Sequence, residues 1–187
     1  MAMVISILGF AKSGKTALAE KLIGAAVDRG LSVAAIKAGR RHRDRGAASE
    51  VPGASTRLGS PSDDERPPDS RRLFDAGAHP VLFWTVDGVT VEGEEQTDPI
   101  PLPGREEFVD EWRRRLPPSL LRKLLRRDCL IIEGRWDASS IIVQMQQRGV
   151  PAEQGVKFPA FENQLTVTGV EAFPGIVETI LNRCAGD

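Results

Sequence analysis

Near the start of the chain, Gly9-Phe10-Ala11-Lys12-Ser13-Gly14-Lys15-Thr16 has the residue types and spacing of a phosphate-binding loop. Each position has a chemical reason. Gly9 and Gly14 let the backbone wrap a polyphosphate so that successive amides, with Ser13 among them, point at its oxygens. A helix opening at Lys15 would aim its unpaired amides and its dipole at the same anion. The Lys15 ammonium would neutralise the β and γ phosphates, and the Thr16 hydroxyl would enter a magnesium shell. Lys12 suits either a phosphate contact or a solvated surface position.

A second group lies far along the chain. Leu130-Ile131-Ile132-Glu133-Gly134 puts a carboxylate at the end of an apolar strand. There it could hold the water shell of a magnesium ion or orient an attacking water. No Asp-x-x-Gly follows this strand and no Asn-Lys-x-Asp occurs anywhere, which argues against a Ras-like switch GTPase. Asp69, Ser70 and Arg72 form a third group, and on residue type alone Asp69 or Ser70 reads as a helix cap and Arg72 as a surface charge. The arginines of Arg40-Arg41-His42-Arg43-Asp44-Arg45 have the guanidinium forks that suit an anionic substrate, but on residue type alone a solvated mobile loop is the favoured reading. Between Trp112 and Arg127 lie seven basic residues and no acidic one, a basic face or simply a solvated one.

These groups need elements to hold them. Met3 to Leu8 is a short apolar, β-branched run of the kind found in a strand buried on both faces. From Lys15 to about Arg29, Leu18, Leu22 and Ala25 mark one helical face, and Gly30 stands where a helix ends. Leu31 to Lys37 reads as a second buried strand, which completes a βαβ unit. Ala38 to Pro68 is a long stretch without periodicity, expected to be mobile until a ligand orders it. A helix from about Asp69 to Gly77 follows. Val81 to Val86 and Val89 to Glu92 form a hairpin about Asp87-Gly88. Arg105 to Leu116 and Ser119 to Arg126 look helical. Cys129 to Ile132 is a strand, with Cys129 a small core residue. Ser139 to Arg148 fits helix or strand. Leu165 to Thr168 is the last strand and Pro174 to Cys184 the last helix, with Ile176, Val177, Ile180 and Leu181 inward. The fold class is α/β, a mostly parallel sheet with helices on both faces and a β-hairpin.

Composition narrows the function classes. At 187 residues the chain suits a single domain, 1–187, with 41% hydrophobic and 27% charged residues. A formal net charge of −1 speaks against a nucleic-acid coat or a polybasic membrane anchor. No apolar run approaches the roughly 18 residues of a membrane span, and the apolar start lacks a basic leader, so a cytoplasmic protein is expected. Cys129 and Cys184 are too few for a disulfide framework. His42 and His79 leave little for a histidine metal site and read as loop residues.

The order of these motifs resembles the molybdopterin-guanine dinucleotide biosynthesis protein B (MobB) family of P-loop GTP-binding proteins. The resemblance is carried by the Gly9 to Thr16 loop, Leu18-Ala19-Glu20-Lys21-Leu22-Ile23 and Arg29 to Lys37. It continues in Asp69-Ser70-Arg71-Arg72-Leu73-Phe74-Asp75-Ala76-Gly77-Ala78 and in Leu130 to Gly134. The chain departs from the family where Ala38-Gly39-Arg40-Arg41 follows Lys37 in place of histidines, and where Arg135-Trp136 follows Glu133-Gly134. The resemblance implies a P-loop NTPase fold that binds Mg2+ and GTP, with ATP a second possibility, and hydrolyses the nucleotide slowly. It also implies that Lys37, Asp69 and Arg72 join the nucleotide site. The partners it implies are the molybdopterin cofactor and its guanylyltransferase, in a protein that is often a homodimer. Two other classes suit the residues: a P-loop kinase acting on a small metabolite, and a nucleotide-dependent adaptor with incidental hydrolysis.

Overall fold

A computed structural model describes residues 2–9, 12–39, 68–85, 88–93, 112–135, 137, 140–146 and 163–185. Seven strands make one sheet: β1 (Met3–Gly9), β2 (Val33–Ala38), β3 (Val81–Thr85), β4 (Gly88–Val91), β5 (Cys129–Glu133), β6 (Ile141–Gln146) and β7 (Gln164–Thr168). Their order is β4-β3-β2-β5-β1-β6-β7. All neighbours run parallel except β3 and β4, which form the antiparallel hairpin at one edge. The helices are α1 (Lys15–Asp28), α2 (Asp69–Asp75), α3 (Trp112–Arg115), α4 (Pro118–Leu125) and α5 (Phe173–Ala185), the last entered through a 3-10 turn at Val170–Ala172.

The strand side chains alternate, and the alternation builds two cores. Ile5 and Ile7 of β1, Val33 and Ala35 of β2, and Cys129 and Ile131 of β5 pack with Leu18, Leu22 and Ile23 of α1 and Phe173 and Ile180 of α5. Val4, Ala34, Ile36, Leu130 and Ile132 face the other way, against Trp112 and Leu116 and against Leu120 and Leu124 of α4. Both faces of the sheet are therefore covered, as the continuous apolar runs require.

By the same parity, Lys37 and Glu133 belong on the α1 face. The register makes them neighbours: Glu133 pairs with Lys37 across β5 and β2, and with Ile7 across β5 and β1. On the other face, Ser6 interrupts the apolar run of β1 and is fully buried. It accepts hydrogen bonds from the Asp137 backbone N–H at 3.1 Å and from the Ser140 hydroxyl at 2.8 Å. The Asp137 carboxylate, also buried, accepts from Trp112 Nε1 at 2.8 Å and pairs with Arg113 at 3.2 Å. This polar cluster ties the chain beyond β5 to β1 and to α3.

Several expectations are corrected. The second strand starts at Val33, not Leu31, because the Ser32 amide and hydroxyl both donate to Asp128 Oδ2, at 2.8 and 2.7 Å. Asp69 and Ser70 cap nothing: α2 has Pro68 at its N-cap and no side-chain capping bond. Ser70 is buried, and Asp69 is engaged in ion pairs. Pro118 is the first residue of α4, a position where its missing N–H costs nothing. Within the ambiguous stretch 139–148, Ile141–Gln146 is a strand, β6, hydrogen-bonded on both sides by β1 and β7, while 139, 147 and 148 lie outside the described residues. The helix expected at Arg105 to Leu116 is seen as α3, with residues 105–111 outside the described part. The arginine cluster with His42, nearly all of the 38–68 stretch, Phe10, Ala11, Asp87 and Trp136 also lie outside it.

Candidate functional site

The sheet order places β1 between β5 and β6, so the loop leaving β1 runs into α1 beside the end of β5. Local backbone needs explain the loop's composition. Gly9 ends β1 with φ +151°, and a Cβ there would stand 2.7 Å from Ser13 Oγ and 2.8 Å from Met145 Cβ. Only glycine lets the loop fold this closely over β6. Lys12 takes a left-handed conformation, φ 62°, and its side chain is exposed. Gly14 is the N-cap of α1, with no side-chain capping bond and no acidic residue in the first turn. The first amides of α1 therefore face outward with nothing anionic of their own turn to satisfy them.

Thr16, in the first turn, donates its hydroxyl hydrogen bond to Glu133 Oε1 at 2.9 Å. Lys37 Nζ bonds the same carboxylate oxygen, lies 3.4 Å from Thr16 Oγ1, and pairs with Asp69 Oδ2 at 3.0 Å. Asp69 in turn meets Arg72 at 3.4 Å. Arg72 grips Glu20 of α1 with two hydrogen bonds, Nε to Oε1 at 2.8 Å and Nη2 to Oε2 at 2.6 Å. Thr16, Lys37, Glu133, Asp69 and Arg72 thus form one chain of contacts, and Lys15 is electrostatically coupled to Glu133, Lys37 and Asp69. Glu20 joins them, although sequence reading did not single it out. The available signal was its place one helical turn after Thr16, on the same side of α1.

Burial sets the electrostatics. Burial lowers the pKa of Lys15, and Lys37 adds to the effect, while Glu133 and Asp69 oppose it. Burial works against ionisation of Asp69, but Lys37, Arg72 and Thr16 outweigh it and hold the carboxyl below the ordinary aspartate range. The hydrogen bonds to Glu20 raise the pKa of Arg72 further. Gly134 closes the site from below. Its φ is +88°, its N–H bonds Ile7 O at 3.0 Å, and a Cβ would sit 2.8 Å from the Ala38 carbonyl oxygen.

A magnesium nucleoside triphosphate fits these residues. Ser13 Oγ and Glu133 Oε2 are buried without a hydrogen-bond partner among the described residues. The oxygens of Thr16, Glu133 and Asp69 are hard donors suited to magnesium. No group of three or more His, Cys, Asp or Glu gathers as a metal cage among the described residues. An ion held by one or two protein oxygens, with phosphate and water completing its shell, matches that arrangement.

No family model matches this chain, and no curated protein does. Among solved structures it is similar to Bacillus subtilis MobB. One such structure shares 18% identity over 96% of both chains with a TM-score of 0.43. A second shares 17% identity over 96% of this chain and 95% of that one, with a TM-score of 0.42. A structure of molybdopterin-guanine biosynthesis protein B shares 18% identity over 98% of this chain and 99% of that one, with a TM-score of 0.38. No helix among the described residues is long and apolar enough to cross a membrane.

Proposed function

We propose that this chain binds a magnesium nucleoside triphosphate on the loop Gly9 to Thr16 and hydrolyses it slowly. The observation that carries this reading is the meeting of Thr16, in the first turn of the helix that Gly14 caps, with Glu133 at the end of β5, 2.9 Å apart. In this reading the amides of the loop and of the first turn of α1 bind the phosphate oxygens. Lys15 neutralises the β and γ phosphates, and Lys12 reaches the outer edge of the phosphate chain. Thr16 and Glu133 hold the metal, with Asp69 beside them. Magnesium, when bound, offsets charge that develops on the phosphate oxygens during transfer. Glu133 is the group able to orient an attacking water, since its Oε2 has no hydrogen-bond partner among the described residues. Arg72 and Glu20 keep Asp69 and α2 in place.

GTP as the nucleotide, and a role as an accessory in molybdopterin guanine dinucleotide formation, rest on the motif resemblance at Asp69 to Ala78 and Leu130 to Gly134. The direct test is a thermal-shift panel of nucleoside triphosphates with and without magnesium. A ligand at 100 times its Kd adds about 2.7 kcal/mol of stability, roughly 5–11 °C for a chain of this length. GTP with magnesium should give the largest rise, and no rise with any triphosphate would overturn the reading. The cofactor role is tested by dinucleotide formation by the guanylyltransferase with and without this chain, where equal yields would count against it.

A further inference from the structure

Lys37 occupies an unusual place in the site. Its ammonium group touches Glu133 Oε1, stands 3.4 Å from Thr16 Oγ1 and lies 3.0 Å from Asp69 Oδ2. Two of those three oxygens are the ones proposed to hold the metal. We infer that Lys37 is an internal counter-cation that fills the metal's place in the nucleotide-free protein and yields it only to a metal arriving with a triphosphate. The inference rests on the proposed nucleotide reading for its biological sense, but the competition itself concerns this chain and a divalent ion alone.

The charges explain why. Lys15 and Lys37 balance Glu133 and Asp69, so the nucleotide-free site sums to zero. A bare divalent ion would leave that site doubly positive, beside a carboxylate that is 1% exposed and has little water to screen it. The same ion brought by a triphosphate carries its own compensating charge. Magnesium lies about 2.0–2.1 Å from its oxygens, so it cannot use Glu133 Oε1 while the Lys37 ammonium and the Thr16 hydroxyl both bond to it, and the other oxygen, Oε2, is buried.

The displaced side chain has a receiver. Asp69 Oδ2 is already within ion-pair distance of Lys37, and α2 cannot drift because Arg72 grips Glu20 on α1 through two hydrogen bonds. A pivot of the lysine from Glu133 to Asp69 needs no movement of β2 or α2. Lys37 is therefore a positioning residue that makes metal binding conditional on nucleotide.

The test is Mn2+ binding by the full chain without nucleotide, followed by electron paramagnetic resonance and by melting temperature. The parent should bind weakly and show no rise in melting temperature with millimolar Mn2+. Lys37→Met and Lys37→Gln should bind one Mn2+ at least ~10-fold more tightly, a difference of about 1.4 kcal/mol, and should be stabilised by it. Lys37→Arg, which keeps the charge, should behave as the parent. Adding Glu133→Gln to Lys37→Gln should abolish the new binding. Equal affinity in parent and Lys37→Gln, tightening by Lys37→Arg as well, or strong stabilisation of the parent by Mn2+ alone would each overturn the inference. The parent arm decides the matter even where a neutral variant does not fold. A parent that ignores magnesium triphosphates altogether would sink the nucleotide reading while leaving the Mn2+ comparison intact.

Discussion

Gly134 is where stability and site geometry depend on the same atom, the hydrogen that stands in place of a Cβ. Gly134→Ala has two separable costs. The backbone sits at φ +88°, where an L side chain costs about 1–2 kcal/mol. The new Cβ would also stand 2.8 Å from the Ala38 carbonyl oxygen, a contact with backbone that cannot rotate away. Overpacking of that kind adds about 1–3 kcal/mol. The sum is near 3 kcal/mol, which lowers the melting temperature of a chain this long by roughly 6–12 °C. Gly24 is the internal control. It lies within α1, has no positive φ, and a Cβ there would meet nothing within 4 Å. Gly24→Ala should therefore stabilise by about 0.5–1 kcal/mol, or ~1–4 °C. Calorimetry of both variants and the parent checks the pair. Because relief of the clash must move Gly134 away from Ala38, and Glu133 beside it away from Thr16, triphosphate affinity should fall in Gly134→Ala and stay at the parent's level in Gly24→Ala. A Gly134→Ala protein that melts within a degree of the parent would refute the reasoning.

Glu133→Gln should reduce triphosphate hydrolysis by more than it reduces triphosphate affinity, and single-turnover kinetics beside equilibrium titration would separate the two; equal losses would make Glu133 a binding residue. Trp112→Phe removes the indole hydrogen bond to the buried Asp137 and should cost about 1–3 kcal/mol in urea unfolding, with no change in slope. Asp128 accepts hydrogen bonds from the Ser32 backbone and side chain, which hold its pKa below the ordinary aspartate value. Its stabilising contribution is therefore present above the ordinary value and is lost as pH falls through the depressed native one. Asp128→Asn should flatten that part of the acid-stability profile, and an unchanged profile would contradict it.

The elements flanking the phosphate-binding loop were readable because short apolar runs and a glycine-rich break depend only on neighbours in the chain. Gly9 to Thr16, α1 and the core of β2 follow directly from that pattern. The ambiguity at 139–148 had a physical source. Ile141, Ile142 and Met145 satisfy helical spacing, and what makes them a strand is pairing with β1 on one side and β7 on the other. The capping reading of Asp69 fails for a related reason. A carboxylate at a helix start suits capping, whereas its ion pair with Lys37 depends on where α2 packs, which no local pattern encodes. The meeting of Lys37 and Glu133 is a matter of register between β2 and β5, strands about half the chain apart. Ser6 was a missed signal: a hydroxyl inside an otherwise apolar buried strand must have a partner, and here Asp137 and Ser140 supply it.

Calorimetric titration of magnesium GTP into the parent chain and into Lys15→Ala tests the central claim most directly. The parent should bind a single equivalent. Loss of a charge-assisted phosphate contact, worth about 1.5–3 kcal/mol, should weaken Lys15→Ala by about 10- to 100-fold without lowering its melting temperature in the absence of nucleotide. Equal binding by the two proteins, or no binding by a folded parent, would contradict the account.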